Sequence, residues 1–399
     1  MDIHAQAFNR AFDRETPDAA EVLARVQALL PRLRERAEEC ERIKKAPPET
    51  IEDFHTNGLF VIGKPKAYGG YELGYDVVCE AIMDVAGACG STGWNLAVLA
   101  EHNVTIANSA KETLDIIWGE NPNALLSTGN DPKGVMKPVD GGYLYNAQIN
   151  YSSGCDYVDW WMGGGSDPET GERVRCLVPR SQGRILEDSW DVMGLSGSGS
   201  KSVEFKDVFI PAERRLVGHG AGGVRRKADV SDHPTYKLPP LTTTPYSLSS
   251  VCVGIAQGFI DDFVEEMKER SSRFGAKIGE FQSLQLRIAE SAAEHHAAKT
   301  VTLQNLRESM DMLSERETLH PDIVQRNRRD MSFVSALAVR AVDRLFYAAG
   351  ANGLFLSNDL QRKFRDVHAG AQQIFLNWDI NMTAYGRQML GLKPGFNRP

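Results

Sequence analysis

Apolar and polar positions recur with two different periods, in three blocks along the chain. From about Pro17 to Asn121 apolar residues recur at helical spacing, as in "AAEVLARVQALLPRLRERAEECERIKK". "PPETIEDFHTNGLF" opens on proline, whose fixed φ suits a first helical turn, and closes at Gly58. Further helices are predicted across "GYDVVCEAIMDVAGACGSTGWNLAVLAEHNVTIANSA" and "KETLDIIWG". From about Ala124 to Val217 the period falls to two: "VDGGYLYNAQINYSSG", "DWWMGGG" and "DPETGERVRCLVP" read as short strands separated by turn dipeptides. Long amphipathic segments follow at roughly 247–272, 281–312, 326–349 and 359–390. The predicted organisation is a helical domain over 1–123, a small antiparallel β domain over 124–217, a Gly- and Pro-rich loop over 218–240 and a helical bundle over 241–399.

One stretch of the β domain interrupts this grammar. "WDVMGLSGSGSKSVEFKDVFIP" (190–211) holds a glycine–serine loop with a single lysine. A phosphate-binding P-loop needs lysine directly after its last glycine, where Ser200 stands. A dinucleotide fingerprint needs a helix after its glycines, whereas "SVEFKDVFIP" alternates as a strand. The loop therefore joins strand to strand. Gly197 and the hydroxyls of Ser196, Ser198 and Ser200 suit either an ordinary hairpin connection or contact with an anion or polar ring edge.

Composition narrows the choice. A net charge of −8 without a basic run argues against nucleic acid as a partner. Six scattered cysteines with no C-x-x-C pair fit reduced thiols rather than disulfides or zinc, and predict a cytoplasmic protein. The polar N-terminus lacks a signal core, and no apolar run reads as a membrane span. His295 and His296 are adjacent and point to different helix faces, so no metal site is predicted.

The order helices, β domain, helical bundle resembles the acyl-CoA dehydrogenase superfamily over nearly the full chain. "FGAKIGEFQSLQLRIAE" (274–290), the glycine–serine loop and "INYSSGCDYVDWW" are similar to its flavin-binding segments. The fold class implied is mainly α with a small β domain: an N-terminal helical domain, a middle antiparallel β domain and a C-terminal four-helix bundle. A dehydrogenase of this family needs a carboxylate to take a proton α to a thioester carbonyl. Counting along "RDVHAGAQQIFL", that position falls on Ile374, which cannot take a proton. "RDVHAG", "CGSTGWNLAVLAEHN" and "LFLSNDLQRKFRDVHAG" instead resemble the oxygenase components of two-component flavin monooxygenases, such as hydroxyphenylacetate and secosteroid hydroxylases.

That resemblance implies reduced flavin (FMNH2 or FADH2) from a separate NAD(P)H:flavin reductase, O2, a C4a-hydroperoxide and a small aromatic substrate. It also implies a homotetramer in which "FGAKIGEFQ" completes a neighbour's flavin site. His368 and His102 are the acid–base candidates, each with a structural alternative, because an imidazole titrates near neutrality. Ser153 is the residue implied to meet the flavin ring, with Ser152 beside it; Ala147-Gln148-Ile149 depart from the family's Gly-Arg-Trp just before. Trp160, Gly197, Ser198, Ser200, Arg273, Phe274 and Gln282 complete the implied flavin contacts, Arg273 lying one position out of register. Trp94, Tyr246 and Gln372 are implied in the substrate pocket. Competing readings are an N-oxygenase of an amino sugar or amine, a dehydrogenase-like oxidoreductase and a non-catalytic flavin-binding scaffold.

Overall fold

The computed structural model describes residues 16–129, 131–216, 230–241, 243–272 and 274–393. Helix α1 (Ala19–Glu35) starts where the Asp18 carboxylate accepts from the Glu21 N–H, at 2.8 Å. It is followed by α2 (Ala37–Arg42), α3 (Pro48–Thr56), α4 (Tyr75–Ala88), α5 (Gly90–Ile106) and α6 (Lys111–Trp118). Gly58, at φ 72°, takes the left-handed turn after α3, where a side chain would meet the Tyr71 ring.

Eight strands form one sheet: β1 (Leu126–Thr128), β2 (Val135–Val139), β3 (Gly142–Ser152), β4 (Trp160–Ser166), β5 (Arg173–Pro179), β6 (Arg184–Leu186), β7 (Lys201–Pro211) and β8 (Arg215–Leu216). Their order is β6-β7-β3-β2-β4-β5-β8, with β1 on β4. The sheet is mixed, not purely antiparallel as alternation suggested: β1 and β2 both run parallel to β4. The cause is the turn at Cys155–Tyr157, which carries the chain across the sheet instead of straight back in a hairpin. Of the predicted 218–240 loop, residues 218–229 lie outside the described residues.

The bundle comprises α7 (Tyr246–Glu269), α8 (Gln282–Glu315), α9 (Pro321–Ala349), α10 (Asp359–Ala371) and α11 (Trp378–Met389). The last segment, read from sequence as one helix, is two. The Gln372 N–H closes α10 on the Ala369 and Gly370 carbonyls; Gln373 then caps a short turn, and Asn377 caps α11 by accepting from Ile380 N–H at 3.0 Å. Contrary to the sequence reading, α7 is long and apolar enough to cross a membrane. Yet 78% of its most apolar window is buried within the protein, against α4, α8, α9 and α10. It is the core helix.

Contact between α4 and α7 is backbone to backbone. A Cβ added at Gly258 would lie 1.9 Å from the Gly87 carbonyl oxygen, and one at Gly254 would lie 2.1 Å from that of Met83. Such crossings tolerate no added methyl without moving a helix. Gly258→Ala is expected to lower stability by about 1–3 kcal/mol, measured by chemical denaturation. An unchanged midpoint would contradict this helix contact.

Candidate active site

The glycine–serine loop leaves β6 at Leu186 and re-enters the sheet at Lys201. Its residues 194–200 are buried, so each polar group needs a partner. The partners come from the helical elements and from the sheet. Asp366 of α10 accepts from the Leu195 N–H at 2.6 Å, while Arg365 donates to the Met193 carbonyl. Asn95 of α5 donates to the Gly197 carbonyl at 3.1 Å. Gly154, just after β3, donates its N–H to the Ser198 carbonyl at 3.1 Å. Gly197 lies so close to α2 that a Cβ there would stand 2.3 Å from Cys40 Sγ. The loop's lysine is not free for an anion: Lys201 Nζ bonds Asp156 at 2.8 Å and Glu187 at 2.6 Å.

Held this way, the loop presents a row of hydroxyls. Ser198 Oγ is 2.8 Å from Ser200 Oγ, which is 2.7 Å from Ser153 Oγ. Trp94 Nε1–H, a donor only, points its proton at Ser153 Oγ from 3.0 Å. Ser152 turns to the other side, where Ser127 Oγ lies 2.9 Å from its hydroxyl and donates to the Ser153 carbonyl at 2.8 Å. Sequence reasoning did not single out Ser127, since its pairing with β3 is a product of the tertiary fold. It also missed Tyr151. The register between β3 and β7 slips between Ile149 and Ser152, and Tyr151 sits at φ 60° with 75% of its surface exposed. Its ring meets Trp190 edge-to-face at 6.3 Å. A left-handed conformation in a bulky residue is strained by roughly 1–3 kcal/mol, and the broken alternation in "NYSSG" is its only trace in the sequence.

The two histidines differ. His102 is buried on α5 with Nδ1 2.8 Å from the Leu126 carbonyl of β1. A carbonyl only accepts, so Nδ1 carries the proton and the neutral ring keeps its lone pair on Nε2. Burial lowers its pKa, against the opposing pull of Glu101, whose carboxylate lies 3.7 Å from Nε2. His368 is 31% exposed and lies on the face of α10 that meets α9. There Nε2 is 2.8 Å from Asp343 Oδ1 and the ring packs on Phe364. Asp366, Ala369 and Gly370 occupy the face toward the loop: a Cβ at Gly370 would lie 3.5 Å from Trp94 and 3.6 Å from Leu195. Trp94, Ser153, Ser198 and Ser200 are thus brought together, and His102 stands on the same α5–β1 seam, while His368 is directed to the bundle. Ile374 is 54% exposed on the turn after α10.

Of the other expected residues, Trp160 is half-buried under the Arg214 guanidinium. Tyr246 is fully buried, its hydroxyl accepting from Asn305 at 2.8 Å inside the bundle. Gln372 caps α10 rather than riding on a continuing helix, as the sequence reading had it. Phe274 is 94% exposed and Gln282 opens α8 at the surface. Arg273 lies outside the described residues. Among the described residues no group of three His, Cys, Asp or Glu side chains is placed to hold a metal.

Two family models match, the acyl-CoA dehydrogenase N-terminal domain over residues 16–113 and the C-terminal domain over 246–378. The chain belongs to the acyl-CoA dehydrogenase family. Within that family it is 34% identical over 388 residues to a flavin-dependent monooxygenase, oxygenase subunit HsaA, of Mycobacterium tuberculosis (strain CDC 1551 / Oshkosh), covering 95% of this chain and 97% of the relative. It is 33% identical over 400 residues to the FADH(2)-dependent resorcinol hydroxylase, oxygenase component, of Rhizobium sp. (strain MTP-10005), covering 95% and 96% of the two chains. The crystal structure of the HsaA monooxygenase from M. tuberculosis superposes with a TM-score of 0.86 at 32% identity, over 95% of this chain and 99% of that one. The likeness places this acyl-CoA dehydrogenase family member in the branch of flavin-dependent oxygenase components, as its motifs suggested.

The lowered His102 pKa makes a pH prediction. Its folded value lies below the ordinary 6.5, so its contribution to stability is present above that value and is lost as pH falls through the folded one. His102→Asn retains a donor for the Leu126 carbonyl but does not titrate. Its stability is expected to fall less than that of the wild type between pH 7 and pH 5, read by denaturant midpoints at both pH values. Equal losses would show that His102 is not held neutral.

Proposed function

We propose that the chain is the oxygenase component of a two-component flavin-dependent monooxygenase, hydroxylating a small aromatic that bears an acidic hydroxyl. Reduced FMN or FAD would come from a separate NAD(P)H:flavin reductase, in keeping with the relatives' description as oxygenase components and with the FADH(2) in the resorcinol hydroxylase's name. The observation that carries the reading is a pair of positions. The dehydrogenase base position holds Ile374, and the base we assign instead is the buried imidazole of His102, whose Nδ1 proton goes to the Leu126 carbonyl and leaves Nε2 free to accept. An aliphatic Cα–H needs a strong carboxylate base aimed at it; a phenol needs only a neutral base near its hydroxyl.

The residues present fit a flavin. The hydroxyls of Ser153 and Ser200 form a polar edge, and the exposed Tyr151 ring with Trp190 offers flat apolar surface beside it. These residues, with Ser198 and Gly197 behind them, would hold the ring. Reduced flavin, when bound, supplies the electrons and the activated oxygen. His102 Nε2 takes the substrate's hydroxyl proton, which makes the aromatic ring a better nucleophile, and the Leu126 carbonyl steadies the imidazolium that results. Trp94, Leu195 and Gly370 close the apolar side against water, whose entry would waste the activated oxygen as hydrogen peroxide. His368, held by Asp343, is the second acid–base group, nearer the C-terminal turn of α10.

The assembly proposed is a homotetramer built from the bundle. Tyr347, Leu354, Leu356, Met389 and Leu390 are each more than half exposed, as is Leu286 on α8, a spread of apolar surface that a second copy would cover. Light scattering at micromolar concentration is expected to give a tetramer; an active monomer would contradict the assembly.

Mixing the protein anaerobically with reduced flavin, then with oxygen and a panel of phenols, is expected to yield a product 16 mass units heavier, one added oxygen atom. Dehydrogenated acyl thioester as the only product would overturn the reading. His102→Asn is expected to slow product formation about 10²–10⁴-fold while oxygen still goes to hydrogen peroxide. His368→Ala is expected to raise the peroxide share less. The reverse ranking would move the base to His368.

A further inference from the structure

We infer that Asp366 is the positioning residue of this site: with Arg365 it clamps the 193–200 loop to the bundle, and the order of the Ser198–Ser200–Ser153 row depends on that clamp. Leu195 is a non-glycine residue at φ 52°, a conformation it adopts only where neighbours enforce it. Its N–H is buried and its one partner is the Asp366 carboxyl, at 2.6 Å. Arg365, one residue earlier, grips the Met193 carbonyl and also pairs with Glu41 of α2, so α10 holds the loop at Met193 as well as at Leu195. A Cβ at Gly194 would lie 2.3 Å from the Arg365 carbonyl oxygen, so helix and loop touch backbone to backbone. The turn at Ser196–Ser198 begins directly after Leu195, and the hydroxyl row begins with it. Releasing Leu195 therefore releases the donors that face Ser153. Nothing in the mechanism above gives Asp366 contact with substrate, and a side chain wholly enclosed, with Gly90 against its other oxygen, has none to make.

The clamp is sensitive to protons. Burial pushes the Asp366 carboxyl up to about 7; the Leu195 hydrogen bond opposes this, Cys89 and Glu41 add to it, and Arg365 offsets part. Cys40 of α2 and Arg362 of α10 also face it. A carboxyl raised in the folded state favours the closed loop while protonated: that contribution is complete below its unfolded value of 3.8 and is lost as pH rises through about 7. Opening the loop hydrates the carboxylate, so opening becomes easier as pH rises from about 4 to about 7 and changes little above neutrality.

Hydrogen–deuterium exchange of the flavin-free protein over residues 190–200, corrected for intrinsic rates, tests this without any assumption about the cofactor. Only the name of the loop's occupant rests on the function proposed above. In the wild type, protection of the loop is expected to fall by up to about tenfold per pH unit between pH 5 and pH 7 and to level off above neutrality. Asp366→Ala strands the Leu195 N–H and is expected to cut protection about 10- to 100-fold, with α7 unaffected. Asp366→Asn keeps an acceptor for Leu195 and cannot titrate; it is expected to restore protection to at least the wild-type level at pH 6 and to show no loss between pH 5 and 7. Affinity for reduced FMN, measured anaerobically by fluorescence, is expected to fall in Asp366→Ala and to recover in Asp366→Asn. Unchanged loop protection in Asp366→Ala, or an unaltered pH dependence in Asp366→Asn, would overturn the inference. Should Asp366→Ala fail to fold, the pH behaviour of Asp366→Asn decides alone. Loss of loop protection together with unchanged flavin affinity would keep the clamp and refute the loop as the flavin's holder.

Discussion

A loop of glycine and serine can be buried only if its backbone is fully hydrogen-bonded, and that constraint organises this molecule. Residues 194–200 carry little apolar surface of their own, so nothing but specific partners keeps them out of water. Asp366, Asn95 and the Gly154 N–H supply them from α10, α5 and the end of β3. One short segment thus ties the first helical domain, the sheet and the bundle together at the point where their seams meet. The hydroxyl row it presents is a consequence of that tie. So is the position of Trp94, which reaches Ser153 from α5 and closes against Gly370 of α10.

The chemistry follows from what this seam does and does not contain. The family fold was built to carry a carboxylate on the turn after α10, and here Ile374 stands in its place. In the reaction proposed, the proton acceptor is His102 of α5, whose tautomer the carbonyl of Leu126 fixes. Burial lowers the pKa of that ring, which suits it to the proton-accepting role proposed. The Glu101 carboxylate, 3.7 Å from Nε2, opposes that lowering and in the proposed reaction would stabilise the imidazolium.

How much of this was legible depended on whether the signal was local. The three-part organisation showed in the change of period, and α3 with its Gly58 stop followed from proline and glycine chemistry. The break between α10 and α11 did not show, because Gln373 and Asn377 act as caps only once the chain has turned there. The parallel pairing of β1 and β2 with β4 is a matter of topology that alternation cannot encode. Ser153, the glycine–serine loop and His102 were singled out through motifs. Ser127, Tyr151 and Asp366 were not: the first two act through strand register, and the third through a contact 171 residues apart in sequence. His368 shows what a motif leaves open. Its motif is strong, yet its ring is turned toward Asp343 on the bundle rather than toward the hydroxyl row.

The central claim is that the protein passes one atom of molecular oxygen to an aromatic ring. Isotope labelling tests it most directly: reduced flavin, a phenolic substrate and ¹⁸O2 are combined with the protein, and the product is weighed. The account predicts one ¹⁸O atom in the new hydroxyl, with the other recovered in water. Product carrying oxygen from solvent, or oxygen consumed with peroxide as its sole fate across the substrates tried, would contradict it.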